Sequence, residues 1–194
     1  MCGKTRTVMI SIALAIVFIL TIFSSFSVAQ ASPAQDAKAV QGILQKYHST
    51  MPVSVFIDFK QQHSDFDIAG ALTVLFCESS LGTTGGSFRH NNPGNIKFGG
   101  WDPSPSKPWL LWMNGYWNCK GQGRYGTYST MAIGTKADVY LLYRYNASLR
   151  SHNWSSFANS YFGRNVPGIG AYKRNLAAAH SLIVRLAKTY GAIW

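Results

Sequence analysis

A single glutamate, Glu78, is the first candidate for chemistry, because the chain contains no other glutamate. It follows the segment from Ala71 to Cys77, whose apolar composition indicates a buried helix. Loss of hydration at the end of such a helix raises the pKa of a carboxyl, and the negative end of the helix dipole acts in the same direction. A carboxyl that stays protonated near neutral pH can act as a general acid toward a leaving oxygen. The alternative is a helix-end glutamate that points into water.

Asparagines and tryptophans follow Glu78 in a stretch that is rich in glycine and proline. Asn91, Asn92 and Asn95 offer donors and acceptors that suit sugar hydroxyls and acetamido groups. They equally suit tight turns around Pro93-Gly94, and both roles can hold at once. The nearby aromatic rings suit the C–H faces of sugars or, alternatively, the core of a small lobe. These rings are Trp101, which we expect to contact the sugar, and Trp109, Trp112 and Trp117.

The order and spacing of these residues resemble the glucosaminidase branch of the lysozyme superfamily, glycoside hydrolase family 73, and also phage wall-degrading proteins. The resembling residues are Glu78-Ser79 with Gly82, then Asn91-Asn92 and Ile96-Lys97. The resemblance extends over residues 68–186. It implies a lysozyme-like fold and cleavage of the peptidoglycan glycan strand between N-acetylated amino sugars, with Glu78 as the catalytic acid.

Two tyrosines extend the resemblance, and two departures limit it. Tyr128 resembles a family tyrosine that precedes the next helix, and Tyr172 resembles the one that opens the closing helix, which implies substrate-binding roles for both. The departures are the insertion of Pro93-Gly94 before Asn95 and the presence of Val166 about where the family carries a further tyrosine. The first affects the shape of the glycan floor, and the second affects the cleavage step.

A second catalytic carboxylate is harder to find. Glycoside hydrolysis usually pairs the acid with a base or nucleophile, and only Asp102 and Asp138 follow Glu78. We predict that Asp102 is the second catalytic residue and that Asp138 lies on a helix surface or serves its first turns. Asp102 precedes Pro103 and can instead form a turn. The 2-acetamido group of the substrate can also take the place of a second carboxylate.

The N-terminus has the features of an export signal. Lys4 and Arg6 precede an apolar run, and Ala29-Gln30-Ala31 fits a signal-peptidase site. We therefore predict a signal peptide over residues 1–31 and a mature domain over residues 32–194, secreted or associated with the cell wall. The alternative is an uncleaved membrane anchor over residues 8–26.

Export makes a disulfide between Cys77 and Cys119 the expected pairing, because Cys2 leaves with the signal and the remaining two enter an oxidising compartment. The alternative is a pair of buried free thiols. The formal net charge of +11 favours anionic partners such as wall polymers. The five histidines are scattered without metal-ligand spacing, and no phosphate-binding loop is present, so no metal or cofactor is expected.

The periodicity predicts a mainly α (α+β) domain with a small irregular β-like lobe inserted. Helices are expected over 34–47, from Ser64 or Asp65 to about Gly82, over 131–145 and over 172–190. The stretch 85–129 is expected to hold loops and hairpins, with a turn at 120–123. The interpretation is a monomeric peptidoglycan hydrolase. The alternatives are a lytic transglycosylase, a non-catalytic wall-binding module, an exported nucleic-acid-binding protein and, least supported by the residues, an amidase.

Overall fold

The computed structural model describes residues 32–98, 106–119 and 122–194. Within these ranges the chain is mainly helical and has one two-stranded antiparallel sheet, so the predicted dominance of helices is confirmed. In chain order the elements are α1 (Pro33–Lys46), α2 (Val53–Gln62), α3 (Ile68–Ser79), α4 (Gly85–Arg89), α5 (Pro108–Leu111), β1 (Gly115–Cys119), β2 (Gly123–Thr127), α6 (Met131–Tyr143), α7 (Asn146–Arg150), α8 (Trp154–Tyr161) and α9 (Ile169–Thr189).

Several predictions fall on residues outside these ranges. They are the export signal over residues 1–31, its alternative as an anchor over residues 8–26, and the roles of Trp101 and Asp102. Among the residues that the structure does describe, no helix combines the length and the apolar character needed to cross a membrane.

The first two helices show how local sequence sets their ends. α1 begins after Ser32, which forms a capping box with Gln35, and its bounds agree with the predicted helix. α2 begins directly after Pro52, in a stretch where no helix was predicted. Proline has no backbone N–H, so it leaves no unpaired donor at the start of a helix. The same residue can therefore end one helix and precede the next.

α3 carries Glu78 and is almost entirely buried. Its cap is Asp67, whose carboxylate accepts a hydrogen bond from the Gly70 N–H at 3.0 Å, and the predicted caps two and three residues earlier were wrong. All residues from Ile68 to Leu75 are buried, as an all-round apolar helix requires. Ser80 follows the helix with φ of 50°, so the left-handed turn begins before Gly82, the predicted stop.

The main hydrophobic core forms where α9 packs against α3 and α1. It includes Leu72 and Leu75 of α3, Ile43 of α1 and Ile183 of α9, all inaccessible to solvent. The chain end is fixed to the same helices, because the Trp194 Nε1 donates a hydrogen bond to Asp36 at 2.7 Å. Glu78, the candidate acid, therefore lies at the end of a helix that is held in the main hydrophobic core.

A second, smaller core lies under the hairpin, and it is the predicted β-like lobe. β1 and β2 pair from Gly115 opposite Thr127 to Cys119 opposite Gly123, which confirms a hairpin turn between them. The small core packs against α6 and contains Ile96, Phe98, Trp109, Met113, Tyr128 and Ala137. Aromatic side chains thus serve the interior of this lobe as well as its surface.

Candidate functional site

Glu78 is the penultimate residue of α3, and its carboxyl is partly buried. The Tyr172 hydroxyl of α9 donates a hydrogen bond to the Glu78 Oε1 at 2.6 Å. Burial raises the pKa of the Glu78 carboxyl, while hydrogen bonding from Tyr172 and Asn95 and the charge of Lys97 lower it by less, so the net pKa is raised. The sequence argument for a carboxyl with a raised pKa therefore agrees with the geometry.

The Glu78 side chain opens into a cleft with a volume of about 900 Å³. This volume lies within the range of about 300–1,000 Å³ that is usual for ligand sites. Its lining includes residues of α4, of the hairpin and of the chain at and after the end of α8. Among the described residues that line the cleft, Glu78 is the only carboxylate. Other lining residues are Gly86, Asn95, Lys97, Trp117, Tyr125, Tyr161, Phe162 and Val166.

The segment Asn91–Ile96 connects the cleft to the rest of the fold and has no regular secondary structure. Asn91 and Asn95 have φ of 54° and 53°, a left-handed conformation that asparagine tolerates better than most residues. The Asn91 Nδ2 donates to the Tyr128 carbonyl at 3.0 Å, and the Ser79 hydroxyl donates to the Pro93 carbonyl. The turn-forming role considered for these asparagines therefore applies.

Asn92 does not face the cleft, which corrects its predicted role in sugar binding. Its side chain is buried, with an exposed fraction of 1%. The Asn92 Nδ2 donates to the carbonyls of Ile96 and Gly126 at 3.0 and 2.9 Å, and its Oδ1 accepts from the Ile96 N–H at 2.8 Å. Both amide hydrogens are used by the protein, so Asn92 joins the segment to β2 instead of binding a ligand.

Asn95, in contrast, lines the cleft beside the acid. Its Nδ2 donates to the Glu78 main-chain carbonyl at 2.7 Å, and its Oδ1 accepts from the Ser87 hydroxyl at 2.7 Å. The first bond satisfies a carbonyl in the last turn of α3, which has no helical partner of its own. Asn95 thus fixes the end of α3, and its side chain is also part of the cleft lining.

Tyr161 is a site residue that the sequence analysis missed. It ends α8, lines the cleft, and donates a hydrogen bond from its hydroxyl to the Gly94 carbonyl at 3.1 Å. Burial, with the nearby carboxyls of Glu78 and Asp138, raises its pKa well above the usual value, so the hydroxyl keeps its proton. The only sequence signal was a tyrosine upstream of Tyr172, in a stretch where no helix was predicted.

Asp138 also differs from expectation, because it lies in the interior and not on the surface of α6. Its exposed fraction is 1%, and its Oδ2 accepts a hydrogen bond from the Gly94 N–H at 2.8 Å. Its Oδ1 is buried and has no hydrogen-bond partner among the described residues. Burial raises the pKa of this carboxyl well above its usual value. Any side chain at position 94 would collide with it, which explains the glycine there.

Tyr128 is likewise internal, so its predicted contact with substrate is corrected. Its exposed fraction is 3%, it packs in the small core, and its hydroxyl donates to the Trp109 carbonyl at 3.4 Å. It carries the backbone that holds Asn91 and does not line the cleft. Tyr128 therefore supports the segment that carries Asn91 from the interior of the protein.

The tryptophans divide between the cleft and other surfaces. Trp117 lies in the cleft wall, stacked between the rings of His90 and Tyr125 at centroid distances of 4.9 and 5.1 Å. Trp109 reaches both the cleft and the small core, while Trp112 lies against Tyr140 on another face. The cleft therefore has an aromatic lining in which the Trp117 ring is held by stacking on two neighbouring rings.

Cys77 and Cys119 are both free thiols, which corrects the predicted disulfide. The Cys119 Sγ donates to the Gln122 side chain at 3.5 Å within the hairpin, whereas Cys77 lies in α3. Burial raises the pKa of the Cys77 thiol to about 12, so it is a poor nucleophile. Export and an even cysteine count indicate a disulfide but do not fix the geometry that one needs.

Within the part of the chain that the structure describes, no three histidine, cysteine, aspartate or glutamate side chains lie close enough together to hold a metal ion. Scans of the chain against protein-family models, and searches of curated proteins and of solved structures, return no match. The case for a function therefore rests on the site itself, which offers a carboxyl with a raised pKa, hydrogen-bonding amides and aromatic surfaces in one cleft.

Proposed function

We propose that the protein is an exported hydrolase that cuts the glycan strand of peptidoglycan between N-acetylated amino sugars, with Glu78 as its general acid. The observation that carries the proposal is the position of the Glu78 carboxyl, which has a raised pKa and opens into an aromatic-lined cleft. The family resemblance adds the same substrate class and a lysozyme-like fold, with the hairpin lobe beside the catalytic helix.

The hydrogen bonds around Glu78 suit proton donation. Tyr172 occupies Oε1 as a donor, so the Glu78 proton belongs on Oε2, where it can pass to the leaving glycosidic oxygen. As the proton leaves, the carboxylate that forms is stabilised by Tyr172, by Asn95 and by the positive charge of Lys97. Each of these interactions favours the ionised form, and so each strengthens as the proton is transferred.

The group that completes the reaction is the second part of the proposal. Asp102, which lies outside the described residues, remains the proposed base or nucleophile. A second candidate function, lytic transglycosylation, is favoured by the absence of any carboxylate other than Glu78 from the described lining of the cleft. In that case a hydroxyl of the sugar attacks, and Glu78 first donates and then accepts a proton. A substrate acetamido group can assist a hydrolase in the same position.

The surface charge fits a wall substrate. The formal net charge of +11 includes the predicted signal, and the excess of lysine and arginine attracts the anionic polymers of bacterial walls. The aromatic cleft also admits nucleobases in principle, but it contains a hydrogen-bonded acid that a nucleic-acid-binding protein does not need. We propose a monomer, held at the wall by charge and by the glycan.

Replacement of Glu78 by glutamine tests the function. We expect Glu78→Gln to lower the rate of peptidoglycan cleavage by about 100-fold to 10,000-fold, because the acid is lost while the shape is kept. Asp58→Asn is the matched control, since Asp58 is an exposed carboxylate that is not part of the cleft. Rates come from the release of reducing ends or soluble fragments, and circular dichroism confirms the fold of each variant.

Mass spectrometry of the fragments identifies the bond and the mechanism. Reducing-end sugars indicate hydrolysis, and anhydro sugars at the fragment ends indicate lytic transglycosylation. Retention of more than half of the parent's activity by Glu78→Gln removes Glu78 from the mechanism. Glycan binding by a parent that releases no fragments favours the non-catalytic wall-binding module instead.

A further inference from the structure

Two large apolar side chains in the cleft are left in contact with water. Phe162 and Val166 have exposed fractions of 41% and 37%, and both line the same cavity as Glu78. A single exposed apolar residue needs no explanation, but two of them grouped beside a candidate acid indicate a surface that a ligand covers. Phe88 is comparably exposed, at 54%, and lies outside the cleft, so it provides a natural comparison.

The Phe162 ring is held in a fixed relation to the acid. It stacks on Tyr172 with a centroid distance of 4.9 Å and an interplanar angle of 20°. Tyr172 in turn donates its hydroxyl hydrogen bond to Glu78 at 2.6 Å. Two successive contacts therefore place the Phe162 ring near the reacting carboxyl without a direct bond between them. A ring that is already ordered loses little conformational entropy when a ligand packs on it.

Val166 is held over position 163 by a turn of the backbone. The chain turns at Gly163, whose φ of 108° lies in the left-handed region that favours glycine. A Cβ at position 163 would lie 3.0 Å from the Val166 Cγ2, so Val166 packs over the residue that follows Phe162. Phe162 and Val166 line the same cavity, and we name these two exposed apolar side chains the Phe162 patch.

The chemistry of the Phe162 patch matches one kind of ligand group. A pyranose ring has a face made of C–H bonds that packs on an aromatic ring, and an N-acetylated amino sugar also carries an apolar methyl group. The same cleft is also lined by Trp117 and Tyr125 of the hairpin, whose rings stack on each other. A glycan bound in the cleft of Glu78 therefore meets aromatic surfaces from the hairpin and from the residue after α8.

We propose that the Phe162 patch is a sugar-binding subsite for one N-acetylated amino sugar, whose ring packs on Phe162 and whose acetamido methyl packs on Val166. This subsite rests on the proposed function, because it assigns one position of the same glycan. Binding there holds one of the two sugars that flank the scissile bond on the α8 side of Glu78. The subsite raises affinity for the glycan, so its loss is measured as weaker binding.

Binding of a soluble tetramer of N-acetylglucosamine tests the subsite. The binding measurements use the full chain with Glu78→Gln, which makes turnover slow, and isothermal titration calorimetry gives Kd. Any measurement of KM uses the chain with Glu78 intact. Addition of Phe162→Ala should weaken binding by about 3-fold to 10-fold, the effect of one aromatic contact. Addition of Phe162→Tyr, which keeps the ring, or of Phe88→Ala should leave Kd within about twofold.

Val166 tests the acetamido contact separately. Val166→Thr keeps the shape and places a hydroxyl against the methyl group, so it should weaken binding of the N-acetylglucosamine tetramer. It should leave binding of a glucose tetramer, which has no acetamido group, unchanged. Equal changes for the two tetramers would overturn the assignment of Val166.

The outcomes separate the subsite from the function. If the parent cuts peptidoglycan and Phe162→Ala leaves Kd for the tetramer unchanged, the subsite is wrong and the function stands. If the tetramer does not bind, KM for peptidoglycan fragments replaces Kd, and an unchanged KM in Phe162→Ala overturns the subsite. If the parent neither cuts peptidoglycan nor binds the tetramer, the proposed function fails and the subsite fails with it.

Discussion

Two segments meet at Glu78, and different forces hold them. α3 is fixed by apolar packing, with residues from Ile68 to Leu75 all buried. The segment Asn91–Ile96 has no helix or strand of its own. It is fixed by hydrogen bonds that Asn92 and Tyr161 donate and by one that Asp138 accepts. Packing depends on the summed volume of many side chains, whereas each of these hydrogen bonds depends on one atom pair. We infer that α3 sets the stability of the site and that Asn91–Ile96 sets its geometry.

A cavity in α3 gives the largest expected effect on stability. Leu72 is completely buried in the main core, so Leu72→Ala should lower the free energy of unfolding by about 2–5 kcal/mol. Peptidoglycan turnover per folded molecule should change little, because Leu72 is not part of the cleft. Urea unfolding and activity at a temperature where the variant is folded measure the two quantities.

Leu111→Ala is the matched control for this cavity. Leu111 is 52% exposed, so its replacement should change stability by less than about 0.5 kcal/mol. A large loss of kcat in folded Leu72→Ala would break the comparison, because α3 would then set geometry as well.

Asp138 tests the hydrogen-bonded segment. Asp138→Leu removes the acceptor of the Gly94 N–H and leaves it buried and unpaired, so unfolding should become easier by about 1–3 kcal/mol and kcat should fall. Asp138→Asn keeps an acceptor of the same shape and should retain most of the parent's turnover. Equal activity of the leucine variant and the parent would show that the segment does not need this bond.

The pH dependence of stability gives an independent measurement on Asp138. The pKa of this carboxyl is raised in the folded protein, so the folded state holds a proton that the unfolded state loses above about pH 3.8. The stability of the parent should therefore decrease as pH rises above that value, relative to Asp138→Asn, which does not titrate. A difference between the two proteins that is constant with pH would contradict the raised pKa.

Tyr172 gives the smallest of these effects and acts on the acid itself. Its hydrogen bond lowers the pKa of Glu78, so Tyr172→Phe should raise that pKa. A general acid works only while it is protonated, so the alkaline limb of the activity profile should move to higher pH, with a modest loss of kcat. The same profile for Tyr190→Phe is the control, because Tyr190 ends α9 away from the cleft. An unmoved limb would show that the bond does not tune Glu78.

Local patterns were sufficient for the elements that are regular and strongly apolar. The approximate bounds of α1 and α6, the hairpin and the end of α3 close to Glu78 follow from periodicity, caps and glycine. α2, α7 and α8 were not predicted, since a helix of ten residues or fewer holds less than three turns in which an apolar repeat can be recognised. Their stability comes from packing on other helices, which periodicity does not describe.

The same division applies to the site. The sequence identified Glu78, Asn95 and Tyr172, and the structure places these three in contact. The sequence also predicted that Asn92 and Tyr128 bind the substrate, whereas the structure shows both side chains buried. An asparagine that binds a sugar and one that binds the backbone have the same donors and acceptors, so residue type does not separate them.

By itself, the sequence determined that an isolated carboxyl would end a buried helix beside an asparagine-rich turn and an aromatic lobe. Only the tertiary structure decided that Asp138 faces inward, that Tyr161 reaches Gly94, and that Phe162 lies on Tyr172. The first two contacts join residues that are 44 and 67 positions apart in the chain, and the third joins the residue after α8 to the following helix. Which face of a helix is covered depends on where distant elements pack, and that packing minimises the free energy of the whole domain instead of any single segment.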